Sequence, residues 1–280
     1  MAADPDIKVI NASMKRIMTA LIVGAGWLFI LFSGSFTLFW LTLSLVIGLA
    51  LFEYFSMLCA TRHKDDITYG VLFCILPAVA AYYKTQDAVA LALLLSLLLI
   101  FARIIFNYGS YNGNGFDTLC RYCFGAIYIG FFATHLILLM TNGGPWSLVL
   151  LTAITIATDS AAYYTGSYLG KTKLCPAISP GKTVVGLIGG LIGGTITGIS
   201  IGLLFLPACS PLVIGLVSLA IAAIGMASDL IESMVKRTTR IKDSGSLLPG
   251  HGGILDRIDS LLAAAPVFYY LVHYGFITCH

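Results

Sequence analysis

The chain has 280 residues, of which 58% are hydrophobic and 10% charged, whereas an ordinary soluble domain carries roughly 25% charged residues. This composition excludes a water-soluble fold, an intrinsically disordered chain, a nucleic-acid-binding domain and a disulfide scaffold. It is typical of a bundle of membrane helices, each of which needs about 20 mostly apolar residues to cross the bilayer.

Apolar runs between polar breaks predict an all-α, polytopic membrane bundle of about nine transmembrane helices. If the amino terminus is cytosolic, only Lys84 of the 16 basic residues falls on an external segment. The positive-inside rule therefore predicts a cytosolic amino terminus and an odd number of spans. The predicted spans lie near 17–33, 36–60, 67–83, 87–106, 119–141, 146–170, 183–206, 211–235 and 260–277.

The two halves of the chain differ in kind. Residues 1–145 are apolar with few acids, among them Glu53 and Asp66, and they show no catalytic pattern. We interpret them as an amino-terminal transmembrane scaffold. Residues 146–280 place polar residues on otherwise apolar helices, which predicts a catalytic transmembrane region with its motifs on the cytosolic face.

The first polar stretch begins at Asp159. An ionisable side chain inside a membrane helix costs about 2.5–3.5 kcal/mol, so such a residue is expected to face a cavity, a partner or an ion. Asp159, Tyr163, Gly166 and Gly170 recur at helical spacing. They predict a polar stripe that faces the bundle interior and leads to Lys171.

The segment Ser179-Pro180-Gly181-Lys182-Thr183 ends like a phosphate-binding loop. The first glycine of that motif would fall at Pro176, and no soluble strand precedes it, so the nucleotide-binding P-loop is excluded. An anion-binding turn that enters the seventh span remains as the prediction.

The seventh span carries small residues at every fourth position. This spacing lets another helix approach closely, which favours helix packing within the chain or between subunits. The residues are Gly186, Gly190, Gly194, Gly198 and Gly202.

The helix that starts near residue 211 carries a polar face at its end. The deeper residues of this face are acids and the shallower ones are bases, and both follow the 3.6-residue helical period. A helix end whose cations reach the membrane surface and pair with Glu232 would explain the bases but not Asp229. The face consists of Asp229, Glu232, Ser233, Lys236, Arg237 and Arg240.

A glycine-rich loop, Pro249-Gly250-His251-Gly252-Gly253, precedes Asp256 and Asp259. The glycines allow the backbone to bend and bring N–H groups close to an anion. Together with Asp229, the two aspartates offer hard oxygen ligands suited to Mg²⁺. The alternative, acids that complement a helix dipole, accounts for one of them more easily than for two.

These stretches reach the same predicted cytosolic mouth and bring half of all basic residues with them. Cations beside carboxylates suit a metal-bound polyphosphate, so the sequence predicts phosphoryl-type chemistry at the membrane surface. The bases are Lys171, Lys173, Lys182, Lys236, Arg237, Arg240, Lys242 and Arg257.

The run Ser233-x-x-Lys236-Arg237-x₄-Lys242-Asp243-x₅-Pro249-Gly250-His251-Gly252-Gly253-x-x-Asp256-Arg257-x-Asp259 resembles the long signature of the phosphatidate cytidylyltransferases, or CDP-diacylglycerol synthases. Asp159-Ser160-x-Ala162-Tyr163-x-x-Gly166 and Ser179-Pro180-x-Lys182-Thr183-x-x-Gly186 also look like motifs of this family, so the similarity covers about residues 155–260. The chain departs at Val184-Val185, where the family often has Trp-Glu.

The resemblance implies transfer of CMP from CTP to phosphatidic acid by an integral membrane enzyme. The predicted orientation places its active site on the cytosolic face (of the inner membrane in a bacterium). It implies a two-cation Mg²⁺ site at Asp229, Asp256 and Asp259. His251 is interpreted either as a hydrogen-bond donor to a phosphate or as a hydrogen-bonded turn residue. The glycine spacing and the resemblance favour a homodimer. The bases that would neutralise phosphates are Lys236, Arg237, Lys242 and Arg257. The nucleotide or lipid side would be lined by Lys182, Thr183, Asp159, Ser233, Gly252 and Gly253.

Two other functions share some of these features. A CTP-dependent, polyprenol-type lipid kinase would use similar carboxylates and basic loops but transfer the γ-phosphoryl group. A secondary transporter would place its binding groups near the bilayer midplane and often shows repeats between its halves. The polar residues of this chain cluster toward one mouth instead, and its halves show no repeat.

Overall fold

The structure is a computed structural model that describes residues 5–59, 64–206, 209–245, 247 and 252–277. A π-helical segment, Gly125–Phe131, joins α6 to α7, and short 3₁₀ turns follow α4 and α5. The helices are α1 (Pro5–Phe32), α2 (Phe36–Cys59), α3 (Lys64–Cys74), α4 (Leu76–Ala80), α5 (Gln86–Phe106), α6 (Gly115–Phe124), α7 (Phe132–Leu169), α8 (Val184–Phe205), α9 (Pro211–Thr238) and α10 (Leu255–His273).

Six helical segments in the described part of the chain are long and apolar enough to cross a membrane. They confirm the predicted all-α membrane bundle, while the count of nine spans and the cytosolic amino terminus stay predictions. The segments are Phe36–Leu58, Asp65–Tyr83, Gln86–Phe106, Gly115–Leu169, Val184–Phe205 and Pro211–Thr238.

The longest of these segments, Gly115–Leu169, has 55 residues and contains two of the predicted spans. Its backbone breaks at Gly144, where φ is +66° and ψ is −174°. Glycine tolerates this positive φ without strain, and Pro145 cannot continue the hydrogen-bond pattern of the preceding turn.

Contacts with α10 show that the chain reverses direction at this break. Tyr128 bonds to Ser228, which contacts the second turn of α10. Asp159 accepts a hydrogen bond from the same turn. Asn142, between them in sequence, instead contacts Tyr269 near the other end of α10. The two halves of the long segment therefore run in opposite directions.

All five glycines of the periodic face of α8 are buried between α7 and α9. A Cβ atom at Gly190 would lie 2.9 Å from the carbonyl oxygen of Thr158 and 3.2 Å from the sulfur of Met226. Close packing within the chain is thus confirmed. Since this face is already covered, it offers no surface to a second subunit, and the homodimer stays a prediction.

Two short antiparallel strands, β1 (Lys173–Cys175) and β2 (Ser179–Thr183), connect α7 to α8. The sequence does not predict these strands, because three to five residues give too few alternations to reveal a strand. At the end of β2, the hydroxyl of Thr183 accepts a hydrogen bond of 3.1 Å from the Gly186 amide. Thr183 is therefore the N-cap of α8.

The polar stripe predicted on α7 is divided in the structure. Gly166 and Gly170 lie directly against Thr183, where a Cβ atom on either glycine would come within 3.0 Å of the Thr183 hydroxyl. Tyr163 is 70% exposed, so the prediction that it faces the bundle interior is wrong. A tyrosine is too large for the close contact that the two glycines make.

Candidate active site

Polar side chains from four elements meet at one end of the bundle. They come from α7, the end of β2, the last turns of α9 and the first turns of α10. Separate helices therefore converge here, as the sequence predicts. The residues are Asp159, Lys182, Asp229, Glu232, Ser233, Lys236, Asp256 and Asp259.

Three carboxylates form the centre of this site. Asp229 and Glu232 lie one turn apart on α9, and Asp259 approaches from α10, with one ligand oxygen from each within 4.8 Å of the others. Glu232 is 1% exposed, and its Oε1 makes no hydrogen bond to any described residue. Closely spaced hard oxygens with an unsatisfied buried atom fit a divalent cation such as Mg²⁺.

The β-hairpin brings a lysine to this acidic centre. The ammonium of Lys182 lies 2.5 Å from Oδ2 of Asp229, and the hydroxyl of Ser233 lies 3.4 Å from Oδ1 of the same residue. The hairpin is held against α9 because Nε of Arg237 donates a hydrogen bond of 3.1 Å to the carbonyl of Ile178. Lys182 and Ser233 thus lie beside the acidic centre, while their predicted role in binding the nucleotide or lipid stays a prediction.

Asp256 has partners other than the three central carboxylates. Its Oδ1 lies 2.7 Å from the ammonium of Lys236, which also contacts Glu232. Its Oδ2 accepts hydrogen bonds of 2.9 Å from the amides of Ser244 and Gly253. Burial raises the pKa of Asp256, but Lys236 and these donors outweigh it and hold the pKa below its usual range. Of the predicted ligands, the structure groups Asp229 and Asp259 with Glu232.

The described part of the glycine-rich loop binds a side chain of the same chain. Gly252 has a φ of +81°, which few residues other than glycine adopt, and the Gly253 amide donates to Asp256. The amide predicted to bind an anion therefore binds a carboxylate of the same chain. His251 lies outside the described residues.

The remaining predicted residues lie around the rim. Arg237, Lys242 and Arg257 are exposed. Asp159 is exposed as well, and its Oδ2 accepts a hydrogen bond of 3.0 Å from the hydroxyl of Ser260. The three bases place positive charge at the end of the bundle where α9 ends and α10 begins.

Two contributions to the site were not predicted from the sequence. Glu53 of α2 is 3% exposed and accepts hydrogen bonds from the loop before α10. Its signal was an isolated acid in an apolar run, the same signal that singled out Asp159. Tyr128 bonds to Ser228, whose hydroxyl contacts the carbonyl of Asp259. No sequence spacing indicates that contact.

The sequence matches the family described as "Cytidylyltransferase family" over residues 14–275. A protein named phosphatidate cytidylyltransferase from Brucella suis biovar 1 is 36% identical to it over 91% of both chains. One of the same name from Bacillus subtilis is 32% identical over 92% of this chain and 97% of its own.

A third similar protein, the uncharacterized protein YnbB of Escherichia coli, is 42% identical over 145 residues. This match covers 51% of the chain and 48% of YnbB, so the chain spans about half the length of that relative.

Proposed function

We propose that the chain, which belongs to the cytidylyltransferase family, transfers CMP from CTP to phosphatidic acid and releases pyrophosphate. Relatives that match over 91% or more of both chains carry the name phosphatidate cytidylyltransferase. The observation that carries the proposal is the cluster of Asp229, Glu232 and Asp259, flanked by Lys182 and Lys236.

The reaction asks little acid–base chemistry of the protein. An oxygen of the lipid phosphate is already a nucleophile and forms a bond to the α-phosphorus of CTP. The bond from that phosphorus to the bridging oxygen breaks, and the electron pair leaves with pyrophosphate. The site must therefore align two anions and neutralise their charge.

Asp229, Glu232 and Asp259 would hold Mg²⁺, which when bound supplies positive charge for the triphosphate and the leaving pyrophosphate. Asp256 stays a predicted ligand of the two-cation site. To serve as one, it would have to release its ion pair with Lys236 or a backbone amide.

The basic residues divide into two groups by their contacts. Lys182 and Lys236 already pair with acids of the site, and they hold those carboxylates in place. Arg237, Lys242 and Arg257 are exposed at the rim, where they can reach the triphosphate or the lipid phosphate. We assign phosphate binding to these three side chains.

The positions of the charges along α2 support a site on the cytosolic face. Lys84, the one basic residue predicted outside, lies 4.2 Å above the ring of Phe36 in the first turn of α2. Glu53 contacts the active-site loop from a position 17 residues, or about 25 Å, further along the same helix. Lys84 and the basic rim thus lie at opposite ends of the bundle.

Label transfer from CTP tests the proposal. The purified protein in detergent is incubated with phosphatidic acid, Mg²⁺ and CTP labelled at either the α- or the γ-phosphate. We expect only the α-label to appear in the lipid. Asp259→Asn should abolish most of the transfer, whereas Asp117→Asn, which alters an exposed ion pair with Arg121, should not.

The same assay separates the alternatives. Label that enters the lipid only from the γ-phosphate would establish a lipid kinase. No transfer from either position, in a protein that is folded and saturated with Mg²⁺, would overturn the proposal. Turnover in detergent also contradicts a transporter, because no gradient exists there.

A further inference from the structure

A buried acid of the amino-terminal half contacts the loop that carries the active-site motif. Glu53 is 3% exposed and lies on α2, about 200 residues from the segment it binds. It has no ion-pair partner among the described side chains. An unpaired acid in an apolar helix is expected to have a specific role.

The two carboxylate oxygens of Glu53 bind both ends of that loop. Oε1 accepts a hydrogen bond of 3.0 Å from the Ile254 amide, and Oε2 accepts one of 2.9 Å from the Leu255 amide. Oε2 also accepts a hydrogen bond of 3.0 Å from the hydroxyl of Ser244. One side chain thus holds together two segments that lie ten residues apart.

The two amides belong to the start of α10. The first N–H groups of a helix have no partner within it, and no side chain at the N-cap position, Ile254, supplies one. Glu53 takes over this capping function from another helix. Its negative charge also lies at the positive end of the α10 dipole.

The loop is shaped to approach this carboxylate closely. A Cβ atom at Gly245 would lie 2.5 Å from Oε1 of Glu53, and one at Gly253 would collide with Glu53 and Ser244. Asp256 binds the amides of Ser244 and Gly253, so the two acids hold the same loop.

We propose that Glu53 is a positioning residue: it fixes the first turn of α10 and thereby the approach of Asp259 to Asp229 and Glu232. Asp259 follows Leu255 by four residues, about 6 Å along the helix, so a shift of the first turn moves its carboxylate directly. This inference rests on the proposed cation site. It makes the amino-terminal half part of the catalytic apparatus.

Glu53→Gln is the sharpest test because it keeps the shape of the side chain. The amide has one accepting oxygen, so at least one helix amide then faces an NH₂ donor. We expect faster hydrogen exchange at Ile254 and Leu255 in the metal-free protein. Binding of Mn²⁺ alone, followed by the electron paramagnetic resonance of the free ion, should weaken about 10- to 100-fold, as for other residues that orient metal ligands.

Two further variants separate positioning from general stability. Glu53→Asp retains the carboxylate and should restore part of the Mn²⁺ affinity. Asp66→Asn alters another buried acid of this half, which is 4% exposed and pairs with Arg103 at 2.9 Å. It should lower stability without changing Mn²⁺ affinity or exchange at the start of α10.

Wild-type exchange and wild-type Mn²⁺ affinity in Glu53→Gln would overturn the proposal, as would faster exchange spread evenly over all helices. If Glu53→Gln does not fold, Ser244→Ala removes one of the three hydrogen bonds. It should weaken Mn²⁺ binding by a smaller factor, and unchanged affinity would then overturn the proposal.

Failure of the positioning role can be distinguished from failure of the proposed function. Suppose that the wild type transfers no α-label but the Glu53 variants show the expected exchange and Mn²⁺ affinity. This result would refute the reaction and leave the positioning role intact. Normal α-label transfer by the wild type with unaltered Glu53 variants would refute the positioning role alone.

Discussion

Asp256 and Asp259 lie three residues apart on α10, yet their neutral amide variants should change stability in opposite directions. The ligand oxygen of Asp259 lies within 4.8 Å of those of Asp229 and Glu232. At an effective dielectric constant of about 20, each such pair of ionised carboxylates repels by about 3.5 kcal/mol. Neighbouring lysines offset part of this repulsion. We expect Asp259→Asn to raise the free energy of unfolding in EDTA by at least about 1 kcal/mol.

Asp256→Asn should have the opposite effect. The carboxylate of Asp256 binds Lys236 at 2.7 Å and accepts two backbone hydrogen bonds. An amide cannot serve all three donors, so the free energy of unfolding should fall by about 1–3 kcal/mol.

Thermal unfolding in detergent, with either EDTA or Mg²⁺ present, measures both effects. A cation that binds only the folded protein raises the unfolding midpoint, and Asp259→Asn should lose most of that rise. The exposed Asp117 provides a control, and Asp117→Asn should leave both midpoints unchanged. If Asp259→Asn unfolds earlier than the wild type in EDTA and keeps the full Mg²⁺ effect, the carboxylate cluster is not a cation site.

Three other outcomes are expected. Gly190→Leu should lower the thermal midpoint, because the space beside Gly190 is filled by backbone and side-chain atoms, whereas Gly181→Leu enters open space and should not. Lys182→Met removes an ion pair with α9 and should slow α-label transfer about tenfold or more, while Lys173→Met, in the same hairpin, should leave the rate unchanged. The stability that Asp256 contributes is complete above its unfolded pKa of about 3.9, and it is lost only as the pH falls through the lower pKa of the folded protein. The difference in thermal midpoint between the wild type and Asp256→Asn should therefore stay constant from about pH 8 to about pH 5.

Features that depend on the helical period could be predicted from the sequence. The spacing of Asp229, Glu232 and Lys236 predicts one polar helical face, and α9 presents it. The glycine face of α8 was predicted by the same argument. Both predictions succeed because a helix has a fixed period, so sequence spacing alone decides which residues share a face.

The membership of the carboxylate cluster could not be predicted in the same way. The sequence predicts Asp256, Asp229 and Asp259 as one set. In the structure Glu232 lies with Asp229 and Asp259, and Asp256 pairs with Lys236. Acids on the same helix turn look equivalent in sequence. Their partners depend on how α9 and α10 approach each other.

By itself, the sequence determined that the chain forms apolar helices with polar motifs near one end of the bundle, since the cost of burying charge and the period of the helix act over a few residues. Only the tertiary structure decided that Glu53 holds the start of α10 and that Lys182 reaches Asp229. These contacts join segments that lie tens to hundreds of residues apart. They depend on the packing of whole helices, which no local pattern encodes.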